Sequence, residues 1–317
     1  MYKINKFNNN NEFFLKIKDN DKNNNKKRLF LFSFLILIII ILKISNSKYI
    51  IKVCVCTLGK LENKYVREFV QFYKKLGIDK IILYDNNDID GEKFDSVISD
   101  YINSEFVEIK NYRGKDSIQL NSINDCINQY RKQYDWFLII DMDEFLHIKE
   151  GKIKKFLSLD RLKNCSIINI NWRHHSDGGH IYYKNESLFK RFPDIVYRYP
   201  ETVKSMIRRP KEPIKIDNHH ILRTKNSCYN SCLANGTKIL ENDFINGIQI
   251  NNPDYKDYYI DHFYTKSTEE YIEKKSKGDC YFGKYQTIDL YALDIYFWFN
   301  KITLEKIEFF EEKTGYY

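Results

Sequence analysis

Proline is scarce in this chain, and its placement divides the sequence in two. All five prolines lie between Pro193 and Pro253, and the first 192 residues contain none. Because proline interrupts helices and central strands, its absence excludes one cause of irregular structure from the first part. We expect regular elements there and an irregular, loop-rich segment afterwards. Internal repeats are also absent, which argues against a repeat architecture.

A concentrated basic surface is missing from most of the chain. The formal net charge is +8, but residues 1–28 hold eight Lys or Arg and only three Asp or Glu. The remaining residues carry 43 basic and 40 acidic side chains, without a basic stripe interleaved with aromatics. Nucleic acid is therefore not an expected partner. With 43% hydrophobic residues, 25 Tyr and 22 Phe, the chain is not largely disordered.

The ligand spacing of a zinc site is also missing. Cys228-Tyr-Asn-Ser-Cys232 suggests either a disulfide or half of a metal site, but no second Cys pair or His-x-x-x-His accompanies it. Cys54 and Cys56 are two positions apart on a predicted strand, where their side chains share one face. We predict that both are buried thiols. The odd total of seven cysteines leaves at least one thiol free.

The N-terminal residues predict a membrane anchor. Residues 1–28 are rich in Asn and Lys, and we expect a disordered, basic, cytoplasmic tail. Leu29 to Leu42 form an apolar run interrupted only by Ser33, with Lys26-Lys27-Arg28 directly before it. Fourteen residues are short for a bilayer span, but Lys43 can extend its head group to the interface and the segment 29–47 then suffices.

The basic flank predicts the orientation of this anchor. Positive residues stay on the cytoplasmic side, so we predict a single-pass type II membrane protein, in a Golgi or ER membrane if the source is eukaryotic. A cleaved signal peptide and a buried core helix are the alternatives for the apolar run. The long Asn-rich leader is unusual for a signal peptide, and an apolar surface all round is unusual for a core helix.

Strands and helices alternate after the anchor. Periodicity and turn signals predict seven elements. They are strand Ile50–Thr57, helix Glu62–Leu76 ending at Gly77, strand Lys80–Tyr84, helix Glu92–Tyr101, strand Phe106–Lys110, helix Gln119–Arg131 and strand Trp136–Ile140. The last strand is continuously apolar, as in the centre of a parallel sheet. This order predicts a doubly wound α/β sheet that binds its ligand at the carboxyl ends of the strands.

Two carboxylates follow the last of these strands, in Asp141-Met142-Asp143-Glu144. If the chain stays extended there, Asp141 and Asp143 project to the same side. Adjacent carboxylates repel unless a cation lies between them, and oxygen ligands favour Mg²⁺ or Mn²⁺. Such an ion neutralises the charge on a departing nucleoside diphosphate. Asp19-Asn20-Asp21 and Asp88-Ile89-Asp90 share the spacing, but neither follows a buried strand.

A series of motifs across roughly residues 50–280 resembles glycosyltransferase family 92 and related family 2-like enzymes. The matching residues are Leu61-Glu62 with Tyr65, Glu68-Phe69, Leu76-Gly77-Ile78-Asp79, Tyr84-Asp85-Asn86-Asn87, Arg113-Gly114, Gln119, Asp125-Cys126, Trp136 to Leu146, Trp172, Val203-Lys204-Ser205, His219-His220 and His262 to Ser267. The ordered set is more specific than any single motif.

The resemblance implies a GT-A fold, a Rossmann-like mixed sheet with helices on both faces, over residues 48–317. Residues 48–150 would then form the nucleotide-sugar-binding half and residues 151–317 the acceptor-side half. It also implies transfer of a hexose, with inversion, from a nucleotide-sugar such as a UDP-sugar to a glycan or glycoprotein acceptor. Leu61 stands where the family usually has Asn. His174-His175 replace an aromatic and a small residue, which leaves the sugar and acceptor open.

Several residues are candidates for contacts with the nucleotide-sugar. The resemblance implies that Asp85 contacts the nucleoside and that Gln119 and Asp141 belong to the same site. Thr57 and Glu62 flank the expected pocket or else cap the following helix. Arg113 either binds phosphate or pairs with Asp116.

His262 is the candidate third metal ligand, beside Asp141 and Asp143. The alternative is a hydrogen-bonded core histidine, and His174 is expected to be an ordinary packing or surface residue. Inverting transfer also needs a general base. Candidates are Asp177, Glu201 and Asp217, and we choose Asp177 because glycines beside it allow a ligand close to the backbone.

A diphosphate site is predicted around Lys266. Ser267-Thr268-Glu269-Glu270 has the capping-box pattern, so a helix should begin there and run to Gly278. Its first backbone N–H groups, together with His262 and Lys266, would hold the diphosphate. The alternative is a surface helix with a solvated Lys266.

Two other functions compete with a glycosyltransferase. A catalytically inactive, membrane-tethered carbohydrate-binding protein would have the same fold, although the pair Asp141 and Asp143 argues against it. A nucleotidyltransferase normally has a glycine-rich phosphate loop after its first strand. Thr57-Leu58-Gly59-Lys60 has too few glycines for such a loop.

Overall fold

The structure is a computed structural model that describes residues 30–36, 49–116, 118–196, 202–216, 230–239, 244–245, 248–249, 255–276 and 290–315. Its contacts separate the unit Met1–Ile50 from the unit Ile51–Tyr317. In the first unit, residues 30–36 form helix α1 with exposed side chains. None of the helices in the described ranges is both long and apolar enough to span a bilayer. The predicted tail 1–28 lies outside these ranges, and the anchor 29–47 is described only at 30–36.

Four parallel strands and three helices build the first half of the second unit, called the parallel half below. The strands pair in the order β3-β2-β1-β4. The elements are β1 Val53–Gly59, α2 Val66–Leu76, β2 Lys80–Asp85, α3 Asp95–Asn103, β3 Val107–Asn111, α4 Gln119–Tyr130 and β4 Trp136–Ile139. All seven predicted elements are therefore confirmed, with bounds that differ by a few residues.

Helix α2 shows why the periodicity was informative. Its buried side chains, Val66, Phe69, Val70 and Tyr73, recur at three- and four-residue intervals and pack on the sheet. The helix ends at Gly77, whose φ of 96° needs a residue without a side chain. It begins later than predicted because residues 62–65 form a turn, in which the Glu62 carbonyl accepts the N–H groups of residues 65 and 66.

The second half of the sheet, called the antiparallel half, is mixed. Its order continues from β4 as β8-β6-β12-β5, and β8 runs antiparallel to both of its neighbours. The strands are β5 Glu144–Ile148, β6 Ile167–His175, β7 Ile195–Val196, β8 Val203–Arg208, β9 Ser231–Leu233 and β12 Tyr258–His262, with a separate pair β10 Phe244–Ile245 and β11 Ile248–Gln249. The doubly wound prediction holds for the parallel half only.

Strand β8 corrects the expectation of a loop-rich segment. It lies inside the proline-containing region yet occupies the centre of the sheet between β4 and β6. Five of its six residues are buried. The prolines at 200 and 210 flank the strand, so they interrupt its connections and leave its hydrogen bonds intact.

Five short or C-terminal helices complete the part of the chain that the structure describes. They are α5 Ile153–Leu157, α6 Leu188–Arg191, α7 Thr268–Ser276, α8 Leu290–Phe299 and α9 Leu304–Thr314. Tyr271, Leu293, Tyr296 and Phe310 form a small apolar cluster that joins α7, α8 and α9. The C-terminal helices are therefore held against the helix that follows Lys266.

The cysteines differ from the predictions at two positions. Cys56 forms a disulfide with Cys126, so it is not a thiol, because α4 packs on the face of β1 that carries Cys56. Cys54 is a buried free thiol, as predicted. Cys232 pairs with Cys165, because β9 lies beside β6 and brings these two residues together. Cys228 lies outside the described residues.

Candidate active site

The acidic motif lies in a turn between the two halves of the sheet. β4 ends at Ile139, and the N–H of Glu144 donates to the Asp141 carbonyl at 3.2 Å. The Glu144 carboxylate accepts from the Asp141 N–H at 3.0 Å. The chain is therefore not extended over residues 141–143, so the condition under which both carboxylates would project to the same side is not met. As a result, the carboxylates of Asp141 and Asp143 have different partners.

Asp143 lies beside His262. Its Oδ1 is 3.7 Å from Nε2 of His262, and both side chains are buried. The pairing of β5 with β12 sets residue 262 opposite Glu144, which explains how a residue 119 positions away reaches the motif. Ligand atoms of Asp143, Glu144 and His262 lie within 4.8 Å of one another. Two carboxylates and an imidazole suit a divalent cation.

The protonation states at this cluster favour metal ligation. Burial alone would raise the pKa of Asp143, but Lys274, His262 and Lys266 outweigh it and hold that pKa well below its usual value. Burial lowers the pKa of His262 well below its usual value, although Asp143 opposes the shift. The result is an ionised carboxylate next to a neutral imidazole, whose Nδ1 accepts or donates no hydrogen bond among the described residues.

Lys204 forms ion pairs with Asp141 and Glu144, the other two acids of the motif. Its Nζ is 2.6 Å from Asp141 Oδ2 and 3.4 Å from Glu144 Oε1. Burial raises the pKa of Glu144 to about 8; Lys204 opposes this shift, whereas Asp141 and Asp143 add to it. Asp141 stays outside the group of mutually close ligand atoms. Lys204 was missed as a site residue, although a single lysine in the apolar strand β8 signals a buried ion pair.

Thr57, Gln119 and Asp141 line one cavity. It lies at the carboxyl ends of β1 and β4, beside the first turn of α4, and Tyr84 and Lys204 also line it. Thr57 Oγ1 is buried and has no hydrogen-bond partner among the described residues. The structure thus brings together three of the residues predicted to bind the nucleotide-sugar.

Asp85 and Arg113 form a separate ion pair at the end of β2. Arg113 donates to Asp85 Oδ2 at 2.7 Å and also to the carbonyls of Asp88, Gly91 and Glu92. The other Asp85 oxygen accepts from the backbone and side chain of Asn87. Arg113 is therefore paired with Asp85 and the 88–92 loop instead of Asp116, and phosphate binding stays a prediction.

Lys266 lies close to Glu62, as the sequence predicted for residues of one pocket. Its Nζ is 3.4 Å from Glu62 Oε2 and 3.9 Å from the centre of the Tyr65 ring. The side chain is only 4% exposed, which excludes a solvated surface lysine. Lys266 also has a φ of 54°, an uncommon conformation for a residue with a long side chain.

The capping box after Lys266 is confirmed, but the predicted anion site is not. Ser267 and Glu270 exchange hydrogen bonds between side chains and backbone N–H groups. The next two N–H groups, of Thr268 and Glu269, donate to the carbonyls of residues 180 and 181. The helix therefore offers no free donors to a diphosphate in its first turn. Lys277 and Gly278, at its predicted end, lie outside the described residues.

Lys274 is a site residue that sequence reasoning missed. Its Nζ lies 2.6 Å from Asp143 Oδ2. Lys266 precedes helix α7 and pairs with Glu62, whereas Lys274 lies within the helix and pairs with Asp143. The signal was its spacing, which places residues 267, 270 and 274 on one side of the helix.

Asp177 is buried among C-terminal residues. Its Oδ2 is 2.5 Å from both Lys306 Nζ and Tyr296 Oη, and its Oδ1 accepts from the N–H of Gly179. Its own N–H donates to the side chain of Asn300. This arrangement connects the 176–179 loop to α8 and α9. The other base candidates, Glu201 and Asp217, and the pair His219-His220 lie outside the described residues.

His174 is a packing residue of an unusual kind. It is buried beside His262, with ring centres 4.9 Å apart, and contacts Phe299 at the same distance. Neither of its ring nitrogens has a hydrogen-bond partner among the described residues. Burial lowers its pKa to about 3, so the ring is neutral.

Comparison with known sequences identifies relatives in plants. A glycosyltransferase family 92 protein of Ricinus communis is 28% identical over 100 residues, which cover 32% of this chain and 18% of that protein. A family 92 protein of Oryza sativa subsp. japonica is 26% identical over 115 residues, covering 36% of this chain and 19% of that protein. The matches thus span about a fifth of the length of these relatives.

Solved structures show partial likeness. S. aureus TarS in complex with UDP-GlcNAc matches with a TM-score of 0.36 and 13% identity, over 50% of this chain and 46% of that one. The mannosyltransferase PcManGT from Pyrobaculum calidifontis, in complex with GDP-Man and Mn²⁺, matches with a TM-score of 0.32 and 10% identity, over 40% and 37%. Both matches cover half of this chain or less.

The family comparison covers more of the chain. The sequence model of glycosyltransferase family 92 matches residues 49–277, which hold both halves of the sheet and the acidic turn between them. The cavity residues, the cluster around Asp143 and the helix after Lys266 all fall within this match. The chain belongs to glycosyltransferase family 92.

Proposed function

We propose that this protein is a metal-dependent glycosyltransferase that transfers a hexose from a nucleotide-sugar, a UDP-sugar by preference, to a glycan or glycoprotein acceptor with inversion. The observation that carries the proposal is the contact between Asp143 and His262, 3.7 Å apart at the carboxyl end of the parallel strands. Oxygen and nitrogen donors in this arrangement fit Mn²⁺ or Mg²⁺. A bound cation would neutralise the charge on the departing nucleoside diphosphate.

The remaining predicted residues receive roles from their positions. Thr57, Gln119 and Asp141 line a cavity of about 10 Å³ at the strand ends, which has room for about one water molecule, so the nucleoside would lie at its mouth. The unpartnered Thr57 hydroxyl is available to a base or ribose group. Asp85 and Arg113 are engaged with each other and with the 88–92 loop, so their role is to shape the edge of this site. Because Gln119 lines the cavity, a variant that lacks its side chain should bind the nucleotide-sugar donor more weakly than the wild type.

Lys266 is the proposed ligand of the donor's diphosphate. Its left-handed backbone conformation is unfavourable, and such outliers cluster at functional sites. Glu62 and the Tyr65 ring hold its ammonium group below the solvent-exposed surface. Asp177 stays a prediction as general base, and its carboxylate is paired with Lys306.

We also propose a type II topology in the secretory pathway. The basic segment before the apolar run supports a cytoplasmic N-terminus. The two disulfides support an oxidising compartment for residues 51–317. The membrane contact would be made through residues 29–47. Labelling an N-terminal epitope in sealed vesicles, with and without detergent, tests this orientation.

An inactive carbohydrate-binding protein is the second candidate. The favouring observation is that lysines neutralise both aspartates of the motif, Lys204 at Asp141 and Lys274 at Asp143. An enzyme and a binding protein differ in turnover. Turnover is measurable without knowing the acceptor if water can replace the acceptor and hydrolyse the nucleotide-sugar.

The test is nucleotide release from a panel of nucleotide-sugars, in Mn²⁺, Mg²⁺ or EDTA. We expect release that EDTA abolishes and that Asp143→Asn lowers by about 100-fold or more, since loss of even an outer partner of a metal costs 10–100-fold. Asp90→Asn is the matched control, because Asp90 belongs to an exposed Asp-x-Asp in the same half. Release that persists in EDTA would refute the metal assignment, and no release with any donor would favour the binding protein.

A further inference from the structure

Lys274 occupies the carboxylate that a divalent cation needs. Its ammonium group lies 2.6 Å from Asp143 Oδ2, and it also donates to the Tyr264 carbonyl at 3.1 Å. His262 faces the other oxygen, Oδ1, of the same carboxylate. Asp143 therefore has one side facing an imidazole and one side facing a cationic side chain.

A divalent cation at Asp143 Oδ1 would lie a few ångströms from the ammonium group of Lys274 at Oδ2 and would repel it. Both carry positive charge, and at a few ångströms in a partly buried site their repulsion is weakly screened. A cation that binds Asp143 and His262 must therefore weaken the ion pair with Lys274. The lysine then needs another anionic partner, since an unpaired buried charge is costly.

Lys204 and Lys274, the lysines paired with Asp141 and Asp143, differ in how freely their side chains can move. The Lys204 side chain is 1% exposed and lies between Asp141 and Glu144. The Lys274 side chain is 24% exposed, on the side of helix α7 that faces Asp143. Its flexible four-carbon stem allows the ammonium group to change partners without backbone movement. Of the two, Lys274 is the one suited to exchange.

A diphosphate is the anion that arrives with the cation. Mg²⁺ and Mn²⁺ bind in such sites through one or two carboxylates plus substrate phosphates. The phosphates must then lie within a few ångströms of the cation at Asp143, and so within reach of Lys274. Lys266, the proposed phosphate ligand, is already fixed by Glu62 and Tyr65, so Lys274 would be a second cation at the same diphosphate.

We infer that Lys274 exchanges partners during donor binding: it neutralises Asp143 in the metal-free protein and moves to the diphosphate of the nucleotide-sugar when a divalent cation binds Asp143. The inference rests on the proposed function. Its consequence is cooperative binding, because the lysine opposes the cation alone and is released only when a phosphate can receive it. Cation and nucleoside diphosphate should each raise the affinity for the other by the same factor.

The experiment measures binding of Mn²⁺ and of UDP by calorimetry on the full chain, separately and together. Lys274→Met should raise the affinity for Mn²⁺ alone about tenfold, because the competing charge is gone, and should lower the affinity for UDP in the presence of Mn²⁺ about tenfold or more. Opposite changes in the two affinities are diagnostic. Lys275→Met is the control, because that neighbouring lysine bonds the Tyr264 hydroxyl and should change neither value.

The possible results are distinguishable. Lys274→Gln keeps a hydrogen-bond donor for Asp143 and replaces the first variant if that one does not fold. Weaker binding of both ligands would assign Lys274 to positioning and overturn the exchange, as would unchanged Mn²⁺ binding. Absence of Mn²⁺ binding to the wild type, even with UDP, would overturn the metal assignment of the proposed function and the exchange together.

Discussion

The two halves of the sheet contribute opposite charges to the site. The parallel half and the turn that leaves it supply the acids, and the antiparallel half with α7 supplies the bases. Three ion pairs join them: Asp141 with Lys204, Asp143 with Lys274 and Glu62 with Lys266. Their partners are 63, 131 and 204 residues apart in the chain. Neither half alone would neutralise its own buried charges, so the site depends on correct docking of both.

Two regions of the second unit also differ in how their structure is stabilised. A continuous apolar core lies under α2 and extends through both halves of the sheet. The part that includes α7, α8 and α9 has a small aromatic cluster and a buried ion pair, Asp177 with Lys306. Burial of such a pair makes this region sensitive to loss of one partner. Substitutions in the two regions should therefore have unequal effects.

The largest expected effect is at that ion pair. Lys306→Met leaves the Asp177 carboxylate buried without its cation and should destabilise the protein by about 3–5 kcal/mol. Denaturant unfolding followed by tryptophan fluorescence measures the change. Lys313→Met is the control, because Lys313 lies on the same helix in an exposed pair with Glu312 and should change stability by less than about 1 kcal/mol.

The same variants separate the two roles of Asp177. If Asp177 is the general base, Asp177→Asn should abolish turnover while leaving donor affinity and much of the stability intact. Lys306→Met, which keeps the carboxylate, should then retain turnover per folded molecule. If Asp177 only anchors the C-terminal helices, both variants should lose stability and turnover in parallel. Equal stability of Lys306→Met and the wild type would contradict the anchoring role.

The next effect compares the disulfides, of which the described residues hold one in each half. Cys56–Cys126 joins β1 to α4 and Cys165–Cys232 joins the start of β6 to β9. Their sequence separations, 70 and 67, are nearly equal, so the chain-entropy contribution should be the same. Replacing either pair by alanines should cost about 2–4 kcal/mol.

The functional consequence should differ between the two pairs. Cys56 lines the cavity with Thr57 and Gln119, whereas Cys165 and Cys232 lie away from it. Only loss of the first disulfide should weaken binding of UDP, measured by titration well below the unfolding temperature. Equal losses of UDP affinity in both double variants would show that the cavity is not the nucleoside site.

The parallel half and the antiparallel half also differ in how much of their structure could be predicted from the sequence. Elements of the parallel half follow local rules: an amphipathic period for α2, a glycine at its end, an apolar run for β4. The capping box at Ser267 is equally local and was confirmed. Residues of the antiparallel half reach the site through pairings such as β5 with β12, which no local pattern encodes. Lys204 and Lys274 were missed for this reason.

Two errors came from extending a local rule too far. The strand period was applied to Asp141 and Asp143, but a turn separates β4 from β5 and directs the carboxylates to different lysines. The helix N-terminus after Lys266 was taken as an anion site, but carbonyls of the 180–181 segment accept its N–H groups. In both cases a contact with a residue distant in the sequence engages the polar group that the local pattern predicts to be available to a ligand.

The smallest expected effect concerns Leu61, where the family usually has Asn. Leu61 has a φ of 57°, and its side chain is exposed. A left-handed conformation costs L-residues about 1–2 kcal/mol, and asparagine tolerates it better because its short polar side chain bonds locally. Leu61→Asn should therefore stabilise the protein by about 0.5–1 kcal/mol, seen as a higher denaturant midpoint.

The control for this substitution is Leu61→Ala, which removes the same exposed side chain but gains no tolerance of positive φ. Its stability should stay close to that of the wild type. The N–H of Leu61 donates to Asn87 Oδ1 at 2.8 Å in either case, so the loop keeps its position. A stabilisation equal in both variants would mean that the exposed leucine itself is unfavourable. A stabilisation confined to asparagine would show that backbone strain at this position, next to Glu62 and its ion pair with Lys266, is relieved by the family residue.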